Sequence, residues 1–141
     1  MHDNDTSSRT GADAPWLAAL GGLAACVGVG LDALNAHAFA QRFDAHALGV
    51  LATAARYLLV HGLLLLIVAH WRRKAGAAPL LKLAGWLAAT GIVLFCAGLI
   101  ASTLTGVGWL GKGAPWGGTA FMAAWLTLGL HGLRQGAGRN G

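Results

Sequence analysis

Long apolar runs alternate with short polar segments along this chain. A helix needs about 20 residues to cross a bilayer, and four runs approach or exceed that length. They predict membrane spans at about residues 15–38, 47–70, 81–104 and 114–133. The polar, aperiodic residues 1–14 predict a disordered tail, and the glycine-rich residues 134–141 predict a polar C-terminal tail. The pattern therefore predicts an all-α fold, a single four-helix transmembrane bundle over residues 15–133 with short loops.

Composition supports the membrane class. Hydrophobic residues make up 56% of the 141 residues and charged residues only 11%, whereas soluble domains carry about 25% charged residues. The formal net charge of +5 raises the question of nucleic-acid binding. The sequence argues against it because four cations, Arg72, Arg73, Lys74 and Lys82, cluster in one loop between apolar runs. Membrane lipids with anionic headgroups are the expected partners of such a loop.

The distribution of Lys and Arg predicts the orientation of the bundle. With four spans, both tails and the loop between the second and third spans share one side, which carries seven Lys and Arg residues. The other side carries Arg42 and Lys112. Because positive loops stay on the cytoplasmic side, both termini are predicted to be cytoplasmic. The expected location is the bacterial inner (cytoplasmic) membrane, crossed several times.

Motifs for catalysis or cofactor binding are missing from the sequence. It contains no CxxC, HExxH or phosphate-loop pattern, so we expect no enzyme activity, no cofactor and no metal. The glycines around Lys112 predict a turn before the fourth span, with Pro115 in its first helical turn. Cys26 and Cys96 lie inside apolar runs and have no motif spacing, which favours buried free thiols over a disulfide.

Two charged residues stand inside the predicted spans. Asp32 lies about 10 Å deep and Arg56 about 13 Å deep on adjacent helices, at 1.5 Å per residue. A charge in mid-membrane costs about 2.5–3.5 kcal/mol on insertion scales, so such residues usually face inward and pair. The sequence predicts an ion pair between Asp32 and Arg56, with Asn35 and Tyr57 as hydrogen-bond partners.

Further polar residues accompany this pair. Thr53, Tyr57 and His61 recur every fourth residue and so share a helix face. The candidate polar cluster comprises Asp32, Asn35, His37, Thr53, Arg56, Tyr57 and His61. It either fixes the packing register of the helices or forms a site for protons or a small molecule. Ligation of one haem or metal by His37 and His61 is disfavoured, because they are separated by more than about 15 Å along the bundle.

Small residues and deep tryptophans predict how the helices pack. Gly22, Cys26 and Gly30 recur four apart in the first span, and Gly21 and Ala25 repeat that spacing on a neighbouring stripe. Such stripes let helix backbones approach closely. Trp86 and Trp125 lie deeper than the other tryptophans and are expected to pack between helices.

Three sequence blocks resemble the YgdD-like family of small bacterial inner-membrane proteins, a domain-of-unknown-function family (DUF423) with a transmembrane relative in animals. The blocks are residues 35–39 (NAHAF), residues 53–61 (TAARYLLVH) and residues 115–121 (PWGGTAF) with Trp125. The resemblance covers about residues 16–133 and implies four spans and an inner-membrane location. It implies no established activity.

Two functions remain open from the sequence. The first is a structural or accessory component of a larger membrane complex, or a homo-oligomer, docking through its small-residue faces. The alternative is a small transporter or ligand-binding bundle with a polar pocket lined by Asp32, Arg56, Tyr57 and His61. Nothing in the residues names a substrate, a partner protein or an oligomeric state.

Overall fold

The computed structural model describes residues 15–75 and 78–137 and is built of helices. The first helix, Pro15–Phe39, is α-helical to Leu34 and ends in a π-helical turn, Asn35–Phe39. The second helix is Ala45–Ala75. The third helix, Pro79–Thr105, contains a π-helical segment, Ile92–Ala97. A short 3₁₀ helix, Gly108–Gly113, leads into the fourth helix, Ala114–Ala137. The predicted all-α four-helix fold is confirmed.

The helix ends have local causes in the sequence. Asp44 precedes the second helix, and its Oδ1 accepts a hydrogen bond from the Ala47 N–H at 2.8 Å, which satisfies one of the unpaired donors of the first turn. Pro79 opens the third helix, where a missing N–H removes no helical bond. Gly106 follows the third helix at φ 72°, a left-handed conformation that glycine adopts without a Cβ clash.

The observed helix bounds differ from the predicted spans at two ends. The second helix continues through the basic residues 72–74, because a helix that leaves the apolar zone can extend into the headgroup region. The fourth helix continues to Ala137, so residues 134–137 of the predicted polar tail are helical. Residues 1–14 and 138–141, for which tails were predicted, lie outside the described residues.

Three helices in the described ranges, Pro15–Phe39, Ala45–Ala75 and Pro79–Thr105, are long and apolar enough to cross a membrane. The fourth helix has 24 residues, which exceeds the length needed for a bilayer. It is less apolar because glycine, threonine, tryptophan and histidine interrupt its leucines and alanines. That the fourth helix crosses the bilayer and that both termini are cytoplasmic stay predictions.

The helices pack as two hairpins, and contacts between the second and third helices join the two. The first helix packs mainly on the second, the fourth packs mainly on the third, and the second also contacts the third. Side chains from all four helices meet in one apolar core that includes Leu17, Leu65, Ala88 and Phe121. The backbones of the second and fourth helices stay apart, and this separation positions the candidate site.

Glycines set the distance between the first and second helices. A Cβ placed on Gly21 would lie 2.6 Å from the Gly62 carbonyl oxygen, and one on Gly62 would lie 2.7 Å from the Gly21 carbonyl oxygen. A Cβ on Gly28 would likewise lie 2.9 Å from the Ala55 carbonyl oxygen. A side chain at these positions would force the backbones apart, so the stripe that begins at Gly21 forms the interface.

The other small-residue stripe faces outward. Gly22 and Gly30 have open space around them, and Cys26 is exposed. This stripe therefore makes no close helix contact within the described part of the chain. Cys26 and Cys96 are both free thiols, but only Cys96 is buried.

The deep tryptophans behave differently from each other. Trp86 is 54% exposed and contacts Trp16, with ring centroids 4.8 Å apart. Its indole therefore contacts the first helix at the surface of the bundle, outside the apolar core. Trp125 bridges the fourth helix to the second through a hydrogen bond to His61.

Candidate functional site

His61 is the buried polar residue at the centre of the candidate site. It is only 3% exposed, and both ring nitrogens have partners. Nδ1 lies 2.9 Å from the Tyr57 carbonyl oxygen, and Nε2 lies 3.3 Å from Trp125 Nε1. A carbonyl oxygen only accepts and an indole N–H only donates, so Nδ1 carries the proton and Nε2 accepts. The two contacts together define one neutral tautomer.

Aromatic rings surround this histidine. The Phe121 ring stacks on the His61 ring with centroids 3.5 Å apart and planes 17° apart. Tyr57 lies one turn before His61 and packs on Phe95 at 4.8 Å and on Phe121 at 5.7 Å between ring centroids. The rings of the second, third and fourth helices therefore form one aromatic cluster, which we define as Tyr57, His61, Phe95, Phe121 and Trp125.

The π-helical segment of the third helix positions Phe95. A π-helical turn adds a residue to the helical repeat and re-aims its side chains, and such turns are frequent at functional sites. Here the segment Ile92–Ala97 faces the fourth helix, where a Cβ on Gly117 would lie 2.5 Å from the Phe95 backbone nitrogen. The glycine lets the fourth helix approach this segment, which brings Phe95 and Phe121 into contact.

A groove of about 500 Å³ opens beside the aromatic cluster. It exists because side chains, not backbones, bridge the second and fourth helices. Gly118 contributes no side chain, and a Cβ built there would first meet the Phe95 ring, at 3.8 Å. The lining consists of Arg56, Tyr57, Val60, His61, Phe95, Pro115, Gly118, Thr119, Phe121, Met122 and Trp125.

The charged residue of the groove, Arg56, lies part-way along its length. Along the fourth helix the groove runs from Pro115 to Trp125, which is about 15 Å at 1.5 Å per residue. Pro115 stands at the beginning of the fourth helix, whereas the Trp125–His61 contact lies deeper in the bundle. Arg56 precedes His61 by more than one turn and so lies on the side of Pro115. Tyr57, Met122 and Trp125 are exposed along the opening.

The structure brings three of the seven predicted cluster residues to the groove: Arg56, Tyr57 and His61. The other four lie elsewhere. Thr53 donates from Oγ1 to the Gly49 carbonyl at 2.9 Å and lines a separate small cavity. His37 is exposed in the π-helical turn of the first helix. It does not approach His61, and both nitrogens of His61 are already engaged.

Asn35 has a different partner from the predicted one. Its Nδ2 donates to the Leu48 carbonyl oxygen at 3.0 Å, where Asp32 and Tyr57 were expected. The bond joins the π-helical turn of the first helix to the first turn of the second. Asn35 Oδ1 is buried and has no hydrogen-bond partner among the described residues. The amide therefore ties the hairpin together at its outer end.

The predicted ion pair between Asp32 and Arg56 is not formed in this structure. Within the described ranges, no nitrogen–oxygen distance of 4.0 Å or less joins the two side chains. Both side chains are exposed, and Arg56 lines the groove whereas Asp32 does not. The depth estimate placed the two residues at similar levels, but it carried no information on the direction in which each side chain points.

Sequence reasoning did not assign the groove residues of the third and fourth helices to a site. Phe95, Phe121 and Met122 resemble ordinary core residues, because an aromatic or methionine at helical spacing usually packs in the interior. A signal was nevertheless present, since residues 115–121 and Trp125 form one of the blocks that resemble the YgdD-like family.

Comparison with known proteins identifies the family. The model of a protein family of unknown function, DUF423, matches residues 31–118. This chain belongs to the DUF423 family. The match extends from the end of the first helix to the start of the fourth and includes Arg56, Tyr57 and His61. The family resemblance inferred from the sequence is confirmed.

Relatives of the DUF423 chain are membrane proteins. The UPF0382 membrane protein YwdK of Bacillus subtilis is 35% identical over 109 residues, which cover 77% of this chain and 89% of YwdK. The UPF0382 membrane protein SAB0533 of Staphylococcus aureus is 36% identical over 110 residues, with 77% and 88% coverage. No solved structure matches the chain. The protein is therefore a membrane protein of a family of unknown function.

Proposed function

We propose that this protein is a binding protein of the bacterial inner membrane that holds a small amphipathic molecule in the groove beside His61. The observation that supports it is the position of Arg56, a charged residue of a membrane-spanning helix that faces a groove of about 500 Å³. The proposed activity is binding, alone or as part of transport, without a catalytic step.

Packing alone does not account for Arg56. The His61–Trp125 hydrogen bond suits a structural role, because it ties the fourth helix to the second. Arg56 makes no ion pair among the described residues, and its charge costs about 2.5–3.5 kcal/mol at mid-membrane on insertion scales. A ligand that neutralises Arg56 would offset that cost, which favours a binding site over a packing device.

Filling the groove tests this proposal. Gly118→Leu places a side chain into the groove, whereas Gly129→Leu on the same helix meets open space. Both substitutions replace a helical glycine by leucine, so they alter helix propensity alike. We expect Gly118→Leu protein, purified from native membranes in mild detergent, to lose a molecule that the wild type and Gly129→Leu retain. Identical bound molecules by mass spectrometry in all three proteins would overturn the proposal.

A second candidate function is an accessory subunit of a larger membrane complex, or a homo-oligomer. It is favoured by the stripe of Gly22, Cys26 and Gly30, which the chain's own described helices leave uncovered. Small residues of this kind allow close helix association in membranes. The stripe therefore suits a second copy of the chain or a helix of another protein.

The exposed thiol on this stripe offers a direct test. Cys26 is exposed and Cys96 is buried, so a membrane-permeant thiol crosslinker should react at Cys26. An accessory role predicts a crosslinked species in native membranes that Cys26→Ser abolishes and Cys96→Ser retains. A monomer with no crosslink and no co-purifying protein in mild detergent would count against this role.

A further inference from the structure

We propose that the groove binds an anionic phospholipid, with the phosphate on Arg56 and one acyl chain along the aromatic cluster. The inference rests on the proposed function and names its ligand class. It follows from three features of the groove: a single charge, an apolar wall, and hydrogen-bonding groups that are mostly engaged within the protein.

The charge at the groove selects an anion. Among the described lining residues Arg56 is the one with a formal charge, and none of them is a carboxylate. A guanidinium donates two parallel hydrogen bonds to a phosphate and is always protonated. Tyr57 packs on Phe121 and His61 bonds to Trp125, so Arg56, one residue before Tyr57, lies level with the middle of the groove. A long arginine side chain can extend from such a depth towards the interface, so a phosphate on Arg56 would lie on the Pro115 side of the aromatic cluster.

The wall of the groove suits a hydrocarbon chain. Val60, Phe95, Phe121, Met122 and Trp125 line it between the second and fourth helices. The groove extends for about 15 Å along the fourth helix, which is about half of the 30 Å hydrocarbon core of a bilayer. The acyl chain of a phospholipid, which spans one leaflet, is therefore about as long as the groove.

Polar groups along the groove are already engaged within the protein. His61 Nδ1 donates to the Tyr57 carbonyl, and Nε2 accepts from Trp125. Thr119 Oγ1 donates to the Pro115 carbonyl at 2.9 Å. A polar solute would therefore find few partners beyond Arg56 and the Tyr57 hydroxyl. This arrangement favours a molecule that is anionic at one end and apolar over the rest of its length.

Native mass spectrometry with defined lipids tests the inference. The full chain, delipidated in neutral detergent, receives phosphatidylglycerol or diacylglycerol, which lacks the phosphate, with identical acyl chains. We expect the protein to bind phosphatidylglycerol about tenfold more tightly or better, because its phosphate accepts charge-assisted hydrogen bonds from the Arg56 guanidinium. Arg56→Gln should remove this preference, and Arg56→Lys should keep most of it. Arg42→Gln, which removes a loop charge outside the groove, should leave the preference unchanged.

The groove variant separates the two proposals. Gly118→Leu should reduce binding of both lipids, whereas Gly129→Leu should not. Equal affinity for both lipids, with binding still lost in Gly118→Leu, would overturn the anionic phospholipid but leave the binding groove in place. Phosphatidylglycerol binding that persists in both Gly118→Leu and Arg56→Gln would place the lipid elsewhere and overturn both proposals.

Discussion

The second helix packs in two different ways at adjacent residues, His61 and Gly62. Gly62 faces the first helix, where its Cα lies so close that a Cβ would meet the Ala25 backbone nitrogen at 2.9 Å. His61, the preceding residue, faces the fourth helix across a gap that rings and one hydrogen bond bridge. In a membrane, where apolar burial provides little drive between helices, close packing provides stability. The glycine side therefore holds the bundle together, and the aromatic side leaves room for a ligand.

Adding a methyl group to the glycine side of the second helix should produce the largest loss of stability. In Gly62→Ala the new Cβ would lie 2.7 Å from the Gly21 carbonyl oxygen, so the two backbones must separate. Overpacking of this kind costs about 1–3 kcal/mol, which unfolding in mixed detergent micelles with increasing dodecyl sulfate would measure. The matched control is Gly22→Ala, whose methyl group meets open space. Equal stability of both variants would contradict the glycine interface.

The fourth helix offers the same contrast at two consecutive glycines. Gly117→Ala would place a Cβ 2.5 Å from the Phe95 backbone nitrogen, whereas Gly118→Ala would meet the Phe95 ring at an ordinary 3.8 Å. We expect Gly117→Ala to lose about 1–3 kcal/mol of stability and Gly118→Ala to lose little or none. The same unfolding titration measures both, and a larger loss at Gly118 would show that the fourth helix is rotated from its position here.

Deleting the His61–Trp125 hydrogen bond across the groove should lower the stability of the bundle by a smaller amount. A double-mutant cycle of His61→Phe and Trp125→Phe isolates the bond between Nε2 and Nε1. Interhelical hydrogen bonds in the measured membrane case contribute about 0.6 kcal/mol on average and at most about 1.7 kcal/mol, so we expect a coupling energy in that range. Additive effects of the two substitutions would mean that the bond does not hold the fourth helix.

The charged pair suggested by the sequence should show the smallest coupling. Because Asp32 and Arg56 form no ion pair among the described side chains, Asp32→Ala and Arg56→Ala should combine additively within about 0.5 kcal/mol. Breaking a buried ion pair would instead cost about 3–5 kcal/mol in each single variant, with recovery in the double variant. Folded yield and unfolding stability of the four proteins distinguish these outcomes. Recovery of stability in the double variant would show that Asp32 and Arg56 do form an ion pair.

The cluster of candidate residues could be predicted only in part from the sequence. Arg56, Tyr57 and His61 stand out because a polar residue within an apolar run is costly, and these three line the groove. Asp32, His37 and Thr53 were marked by the same argument, yet they lie outside it. Polarity within a span shows that a residue needs an explanation, but depth and spacing leave its facing direction open.

The sequence by itself determined the class, the family and the helices of this protein. Apolar runs set the helix positions, while Asp44, Pro79 and Gly106 mark helix ends through local backbone chemistry. These features depend on residues close together in the chain, so a linear pattern contains them.

Only the tertiary structure decided which stripe of small residues joins the first two helices and where the groove opens. Gly21 and Gly22 are alike in sequence, and the rotation of each helix about its axis makes one an interface and the other an open face. The groove likewise depends on the separation of the second and fourth helices, which the His61 and Phe121 rings span, and on the close approach of the fourth helix to the third at Gly117. Helix rotation and separation result from packing across the whole bundle, which no local stretch of sequence specifies.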